Sequence, residues 1–245
     1  MLFRSITLRS IVFLVGALAI TVPFGLIVPA GRLFGRHGAF HAARTYTAVM
    51  MRWVELSLGI TCEVSGWEQV PKEPAIIMSK HQSAWETIFI ESRFPPQSWI
   101  VKKELLWLPF VGWSLVAIRC IAIDRSSGHT AREQIVEQGA QRLREGLWVT
   151  IFPEGTRVPP GQRGRYGIGG ATLATRTGTP ILPIAHNAGE FWGRYAFKKR
   201  PGVVKVVIGP LIPTAGRDVM SVHNEVESWI EGQMRVISPE RYASA

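Results

Sequence analysis

From residue 60 onward the chain alternates short, β-branched apolar runs with longer amphipathic stretches, and no other feature narrows its fold so far. Runs at 60–65, 75–79, 98–101, 121–123, 147–152, 180–185 and 203–208 have the length and composition of strands. Helical spacing predicts helices over 84–92, 109–119, 169–177 and 219–236. The clearest helix follows Thr130, where Thr130 and Glu133 have the form of a capping box. Ala131, Ile135, Val136, Ala140 and Leu143 line one face, and Gly146 supplies a stop. Strands alternating with helices imply an α/β fold with a mostly parallel central sheet flanked by helices. At 245 residues the chain suits one such domain, assigned to 59–245.

The first 58 residues read differently. Residues 10–31 carry no charge, and 22 residues in one helix just cross a bilayer. Pro23 and Pro29 divide that run, and the stretch before Pro23 is too short to span. Arg4 and Arg9 precede it as in a secretory signal, yet no small-residue cleavage site leads into a polar region. Arg32, Arg36 and Arg44 follow, so the positive-inside bias cancels. A helix or bent hairpin embedded from one face fits these facts better than a single span. Residues 41–58 predict a second helix, interfacial or simply covering the core, so 1–58 is expected to form a membrane-associating helix pair.

Charge supports a phosphate-bearing ligand without choosing one. The formal net charge is +10, and between residues 155 and 217 ten Lys and Arg face one acid, Glu190. Nucleic acid, anionic lipid and phosphorylated substrates all fit that field; the apolar N-terminus argues against nucleic acid. Cys62 and Cys120 form no CxxC pair and no zinc-site spacing, so buried thiols are expected and no metal is.

Three segments can carry chemistry. In the first, His81 follows a strand and Glu86 lies five residues on. On one continuous helix that spacing puts them about 140° apart, which is poor for contact. Ser83 and Glu86, however, match a capping box, so the helix is expected to begin at Ser83 and leave His81 in the preceding turn. Glu86 can then hold one imidazole nitrogen while the other stays basic, although a cap alone would also explain Glu86. In the second, Phe152-Pro153-Glu154-Gly155-Thr156-Arg157 forms a tight turn after another strand, with a guanidinium suited to phosphate. A surface turn with an accidental charge pair is the plainer alternative. In the third, Lys102 and Lys103 lead into the aromatic, apolar run 105–113, a cation beside a greasy surface. Asp124 and Arg125 follow a later strand. No nucleotide-binding loop occurs, since Gly167, Gly169 and Gly170 lack the accompanying lysine and hydroxyl residue.

Taken in order, these segments resemble the glycerolipid acyltransferase family, in its bacterial 1-acylglycerol-3-phosphate acyltransferase branch. His81 to Glu86 resembles that family's His-x4-Asp motif with Glu as the acid. Residues 102–112 with Asp124 and Arg125 resemble its second block, and Phe152 to Arg157 match its third at every position. Ile181-Leu182-Pro183-Ile184 resembles its fourth. The resemblance implies acyl transfer from acyl-CoA or acyl carrier protein to a lysophospholipid, with lysophosphatidic acid first and a lyso-aminolipid as the alternative acceptor. It needs no cofactor and no covalent intermediate.

Under that resemblance His81 is the base and Glu86 holds it. Lys102, Arg157, Glu154 and Arg125 form the phosphate site. Gly155, Thr156 and Pro183 support the substrate site. The implied location is the cytoplasmic face of the inner membrane. A non-catalytic lipid-binding protein of the same fold is the reading from a different class. Where many relatives carry a lysine beside the aromatic Tyr166, this chain has Gly167, leaving Arg163 or Arg165 to serve instead.

Overall fold

The alternating runs assemble into one seven-stranded sheet in the computed structural model, which describes residues 5–124 and 127–242. The strands are β1 (Ile60–Ser65), β2 (Ile76–Ser79), β3 (Gln97–Lys102), β4 (Ile121–Ile123), β5 (Trp148–Ile151), β6 (Ile181–His186) and β7 (Gly202–Ile208). Their spatial order is β1-β7-β6-β2-β5-β3-β4, and every neighbouring pair is parallel except β6 with β7. β2, β5 and β6 are buried along their whole length, as parallel strands covered on both faces must be. β1 instead alternates between buried and accessible residues as an edge strand.

Helices cover both faces. Those after the first pair are α3 (Trp85–Arg93), α4 (Val111–Ala117), α5 (His129–Arg144), α6 (Gly169–Thr177), α7 (Val219–Ile237) and a short α8 (Pro239–Tyr242). The expected starts shift locally. Gly128, at φ +45°, opens α5 at His129, so Thr130 lies inside the first turn and the predicted capping box is not used. Asp218 does cap α7, accepting from the Ser221 amide at 2.9 Å. Cys62 and Cys120 are free; the Cys120 thiol is enclosed as expected, whereas Cys62 is only half-buried.

The N-terminal segment departs further from expectation. α1 (Ile6–Ala30) runs unbroken through Pro23 and Pro29, and α2 (Gly38–Leu58) packs back along it. A proline removes one hydrogen bond and bends a helix, but packing on both sides of Pro23 keeps this one continuous. Thr21 shares a hydrogen bond with Tyr46 of α2 at 3.0 Å, and Trp53 Nε1 donates to the Phe13 carbonyl at 3.0 Å. The pair also joins the sheet's core: Phe13, Val28, Phe40 and Val54 belong to one apolar cluster with Ile77 and Leu182. Near its start Arg9 is buried and donates to the Leu58 carbonyl at 3.1 Å, so α1 lies along the domain instead of leaving it.

Gly16 lets α1 and α2 approach, because a Cβ there would sit 2.3 Å from the Trp53 ring. Gly16→Leu is therefore expected to cost about 1–3 kcal/mol by overpacking. Thermal unfolding in detergent micelles measures it; an unchanged melting temperature refutes the close packing.

Candidate active site

β6, β2, β5, β3 and β4 point the same way, so their carboxyl ends form one edge of the sheet. Along that edge stand His186, then His81, the 152–157 turn, Lys102 and Asp124. Ligands of open α/β sheets bind at this edge. Two sequence blocks separated by about seventy residues are neighbours here because β2 pairs directly with β5.

His81 sits in the turn between β2 and α3, with 13% of its side chain exposed. Its Nδ1 is 2.8 Å from Glu86 Oε1. The same carboxylate oxygen accepts from the Gln82 amide at 2.9 Å and the Ser83 amide at 2.8 Å. Ser83 Oγ in turn accepts from the Trp85 amide at 3.1 Å. The helix starts at Trp85 rather than Ser83; the Glu86 arm of the box forms, while the Ser83 hydroxyl takes the Trp85 amide in place of the Glu86 amide. Glu86 therefore caps the helix and orients the imidazole at once. Burial alone would raise the Glu86 carboxyl. The facing His186, the His81 contact and the Ser83 amide more than offset this and hold it below its ordinary range. His186 Nε2 lies 4.0 Å from Glu86 Oε2 and 2.8 Å from the Lys80 carbonyl, and burial pushes its own ring toward the neutral form. A carboxylate at Nδ1 favours the tautomer that donates to it, which leaves the lone pair on Nε2.

Residues 152–158 hold His81 three more times. Glu154 Oε2 accepts from the His81 amide at 2.8 Å, and the Val158 amide donates to the His81 carbonyl at 2.8 Å. The Phe152 ring stacks on the imidazole, centroids 3.9 Å apart and planes 11° from parallel.

Lys80, beside His81, is the residue that sequence reasoning missed. It is fully buried, and its Nζ reaches Glu154 Oε1 at 2.6 Å and Glu231 Oε1 at 2.8 Å. The Tyr166 hydroxyl donates to the same Glu231 oxygen at 2.8 Å. One ammonium thus ties the turns after β2 and β5 to α7. Burial raises the Glu154 carboxyl and the Lys80 charge pulls it down, while burial and both carboxylates drive the Tyr166 phenol far up. This revises the expected role of Glu154: its carboxylate is spent on Lys80 and the His81 amide, not on a phosphate. The available signal was a charge on an apolar face, since Glu231 is buried beside Ile230 on α7.

The remaining predicted residues sit around this centre. Arg157 is half-buried, and among the described residues no carboxylate is ion-paired with it. Lys102 is exposed at the end of β3, with Nζ 3.3 Å from Glu104 Oε1. Asp124 pairs with Lys103, and Arg125 lies outside the described residues. Gly155 adopts φ +65° in the turn, a conformation other side chains resist, and Thr156 is exposed beside it. Pro183 lies inside β6 in register with Met78 of β2, so it supports the sheet behind the turn. Arg163 pairs with Glu227 of α7 at 2.7 Å, which turns it toward that helix.

His81 and Arg157 open into one cavity of about 390 Å³, within the range of ligand pockets. Its other walls are chiefly apolar and come from both N-terminal helices, α3 and α4, including Phe24, Val28, Ile88, Leu115 and Ile118. Glu91 interrupts them. It accepts from Trp99 Nε1 at 2.6 Å, and burial pushes its carboxyl up to about 8, so it is largely neutral near pH 7. Among the described residues no His, Cys, Asp and Glu side chains cluster as a metal site.

Comparison with known proteins gives the family and the fold. Residues 61–187 match the acyltransferase family. The chain is 44% identical over 204 residues to a 1-acyl-sn-glycerol-3-phosphate acyltransferase of Pseudomonas aeruginosa, covering 79% of each chain. It is 34% identical over 171 residues to a protein of the same name from Borreliella burgdorferi, covering 67% of this chain and 68% of that one. The crystal structure of the 1-acyl-sn-glycerophosphate acyltransferase from Thermotoga maritima shares the fold, with a TM-score of 0.78 at 20% identity over 94% of this chain and 95% of that one.

The Lys80 network carries a prediction. Lys80→Met leaves two buried carboxylates facing each other and is expected to destabilise the fold by about 3–5 kcal/mol. Adding Glu231→Gln should recover part of that. Denaturant unfolding of both variants decides, and a loss under about 1 kcal/mol for Lys80→Met would show that the ammonium is not what joins these elements.

Proposed function

Because the chain belongs to the acyltransferase family, we propose that it transfers a fatty acyl group from an acyl thioester to the sn-2 hydroxyl of lysophosphatidic acid, giving phosphatidic acid. The observation that carries this reading is the His81–Glu86 pair opening onto an apolar cavity that Arg157 also lines.

The acceptor hydroxyl gives its proton to His81 Nε2 as its oxygen attacks the thioester carbon. Glu86, already bonded to Nδ1, stabilises the imidazolium that forms. The C–S bond then breaks, and the departing thiolate takes the proton from Nε2, which returns the imidazole to its starting state. Arg157, with Lys102 at the rim, holds the acceptor's phosphate. The apolar walls take the acyl chain. The two backbone bonds fix the His81 main chain, and Glu86 with Phe152 keeps the ring from turning, so much of the rate gain comes from fixed geometry. The donor is acyl-CoA or acyl carrier protein.

The same reading puts the chain on a membrane, at the cytoplasmic face of the inner membrane, with residues 1–58 as the associating part. α1 turns Leu14, Val15 and Leu18 outward, and Leu33 and Phe34 follow at the hairpin. α4 packs beside α1 and exposes Trp113 and Val116 next to Trp107. A face of this size is suited to lipid. Replacing Val15 and Leu18, each 66% exposed, by lysine should sharply reduce flotation with phospholipid vesicles while leaving the fold intact. Undiminished flotation would place the membrane contact elsewhere.

The central test is transfer of labelled acyl groups to a panel of lysolipids. His81→Ala is expected to lower the rate by orders of magnitude with thermal unfolding unchanged. Equal activity of wild type and His81→Ala would remove the imidazole from the chemistry. Preference for an acceptor without phosphate would remove lysophosphatidic acid as the substrate.

A further inference from the structure

The loop between β6 and β7 reaches the catalytic turn through one side chain. Arg194 Nη1 donates to the Arg157 carbonyl at 3.3 Å, and Nη2 donates to the Tyr195 hydroxyl at 3.3 Å. The guanidinium carbon lies 4.8 Å from the centre of the Tyr195 ring. Tyr195 is 85% exposed, so burial does not explain its place. It nevertheless adopts φ +58°, a left-handed conformation that costs a non-glycine residue of order 1 kcal/mol. What the ring does there is hold Arg194.

Charge converges on the same point. Arg194, Arg157 and Lys102 all act on the Tyr195 hydroxyl, whose proton they make easier to lose. Little internal acid balances them. Glu190, the only acid between residues 155 and 217, is turned to Ser238, and Glu104 is shared between Lys102 and Lys103. Among the described residues no carboxylate is ion-paired with Arg157 or Arg194. Arg157 lines the cavity and Arg194, bonded to its carbonyl, carries Tyr195 beside it; two guanidiniums without a paired carboxylate among the described residues, together with a hydroxyl, are the parts of an oxyanion-binding site.

We propose that Arg194 and Tyr195 form, with Arg157, an outer subsite that binds a substrate phosphate at the cavity mouth. It rests on the reading of this site as an acyltransferase centre and extends it to a loop outside the four resembling blocks. The phosphate belongs either to the acceptor lysolipid or to the nucleotide portion of acyl-CoA; the guanidinium fork suits both.

Steady-state kinetics of the full chain in detergent micelles test this with Arg194→Gln, Tyr195→Gly and, as a control, the exposed Lys198→Gln. The acceptors are lysophosphatidic acid and phosphate-free monoacylglycerol; the donors are acyl-CoA and acyl-pantetheine. Arg194→Gln is expected to raise KM at least tenfold for one phosphate-bearing substrate, with a much smaller change in kcat. The phosphate-free counterpart should show no such rise. A rise for lysophosphatidic acid assigns the subsite to the acceptor; a rise for acyl-CoA that vanishes with acyl-pantetheine assigns it to the donor. Tyr195→Gly should raise the same KM while the melting temperature holds or increases, since glycine relieves the left-handed strain. An unchanged KM for both phosphate-bearing substrates overturns the proposal. An equal rise with Lys198→Gln does so too, because it would make the effect one of general charge. Failure of the wild type to acylate lysophosphatidic acid would condemn the parent reading instead. Calorimetric titration of wild type and Arg194→Gln with lysophosphatidic acid and with coenzyme A then judges the subsite without turnover, and equal affinities would overturn it.

Discussion

His81 is held by backbone as much as by side chains. The His81 amide and carbonyl are both bonded to the turn that follows the adjacent strand, through Glu154 and Val158. A histidine in a free loop would sample many rotamers and lose the alignment that a proton transfer needs. Here the parallel pairing of β2 with β5 places the two turns within reach, and the rest of the centre builds on that pairing. Glu86 adds the orientation of the ring, and Phe152 closes one of its faces.

That arrangement requires a charge to be buried. Lys80 sits between two carboxylates with no access to solvent, a placement that solvation opposes strongly. Its partners are Glu154 in the turn after β5, the Gln162 carbonyl in the loop beyond it and Glu231 on α7, so the ammonium specifies how these segments meet. Neutral packing would not discriminate among nearby registers in this way. The same network draws Glu154 inward, and among the described residues no carboxylate is ion-paired with Arg157.

Much of this was legible in the sequence where the physics is local. All seven strands lie where the apolar runs put them, because strand length and burial are set by a few adjacent residues. The His81–Glu86 contact followed from cap chemistry over five residues. Pairings across distant segments left no such trace. Lys80 and Glu231 are 151 positions apart, and Arg194 meets Arg157 over 37. Local rules also misled where packing overrode them. Pro23 was expected to end a helix that Tyr46 and its neighbours carry through, and Thr130 was expected to cap a helix that Gly128 opens earlier.

α1 has two audiences. One side of it walls the cavity through Phe24 and Val28, while the other presents Val15 and Leu18 outward. A single helix is about 10 Å across, and on the proposed docking that is the whole partition between bilayer and reaction chamber. A lipid substrate would then not have to be lifted into water. It could tilt past the edge of one helix, keep its hydrocarbon among neighbours of its own kind throughout, and expose only its head to the enzyme.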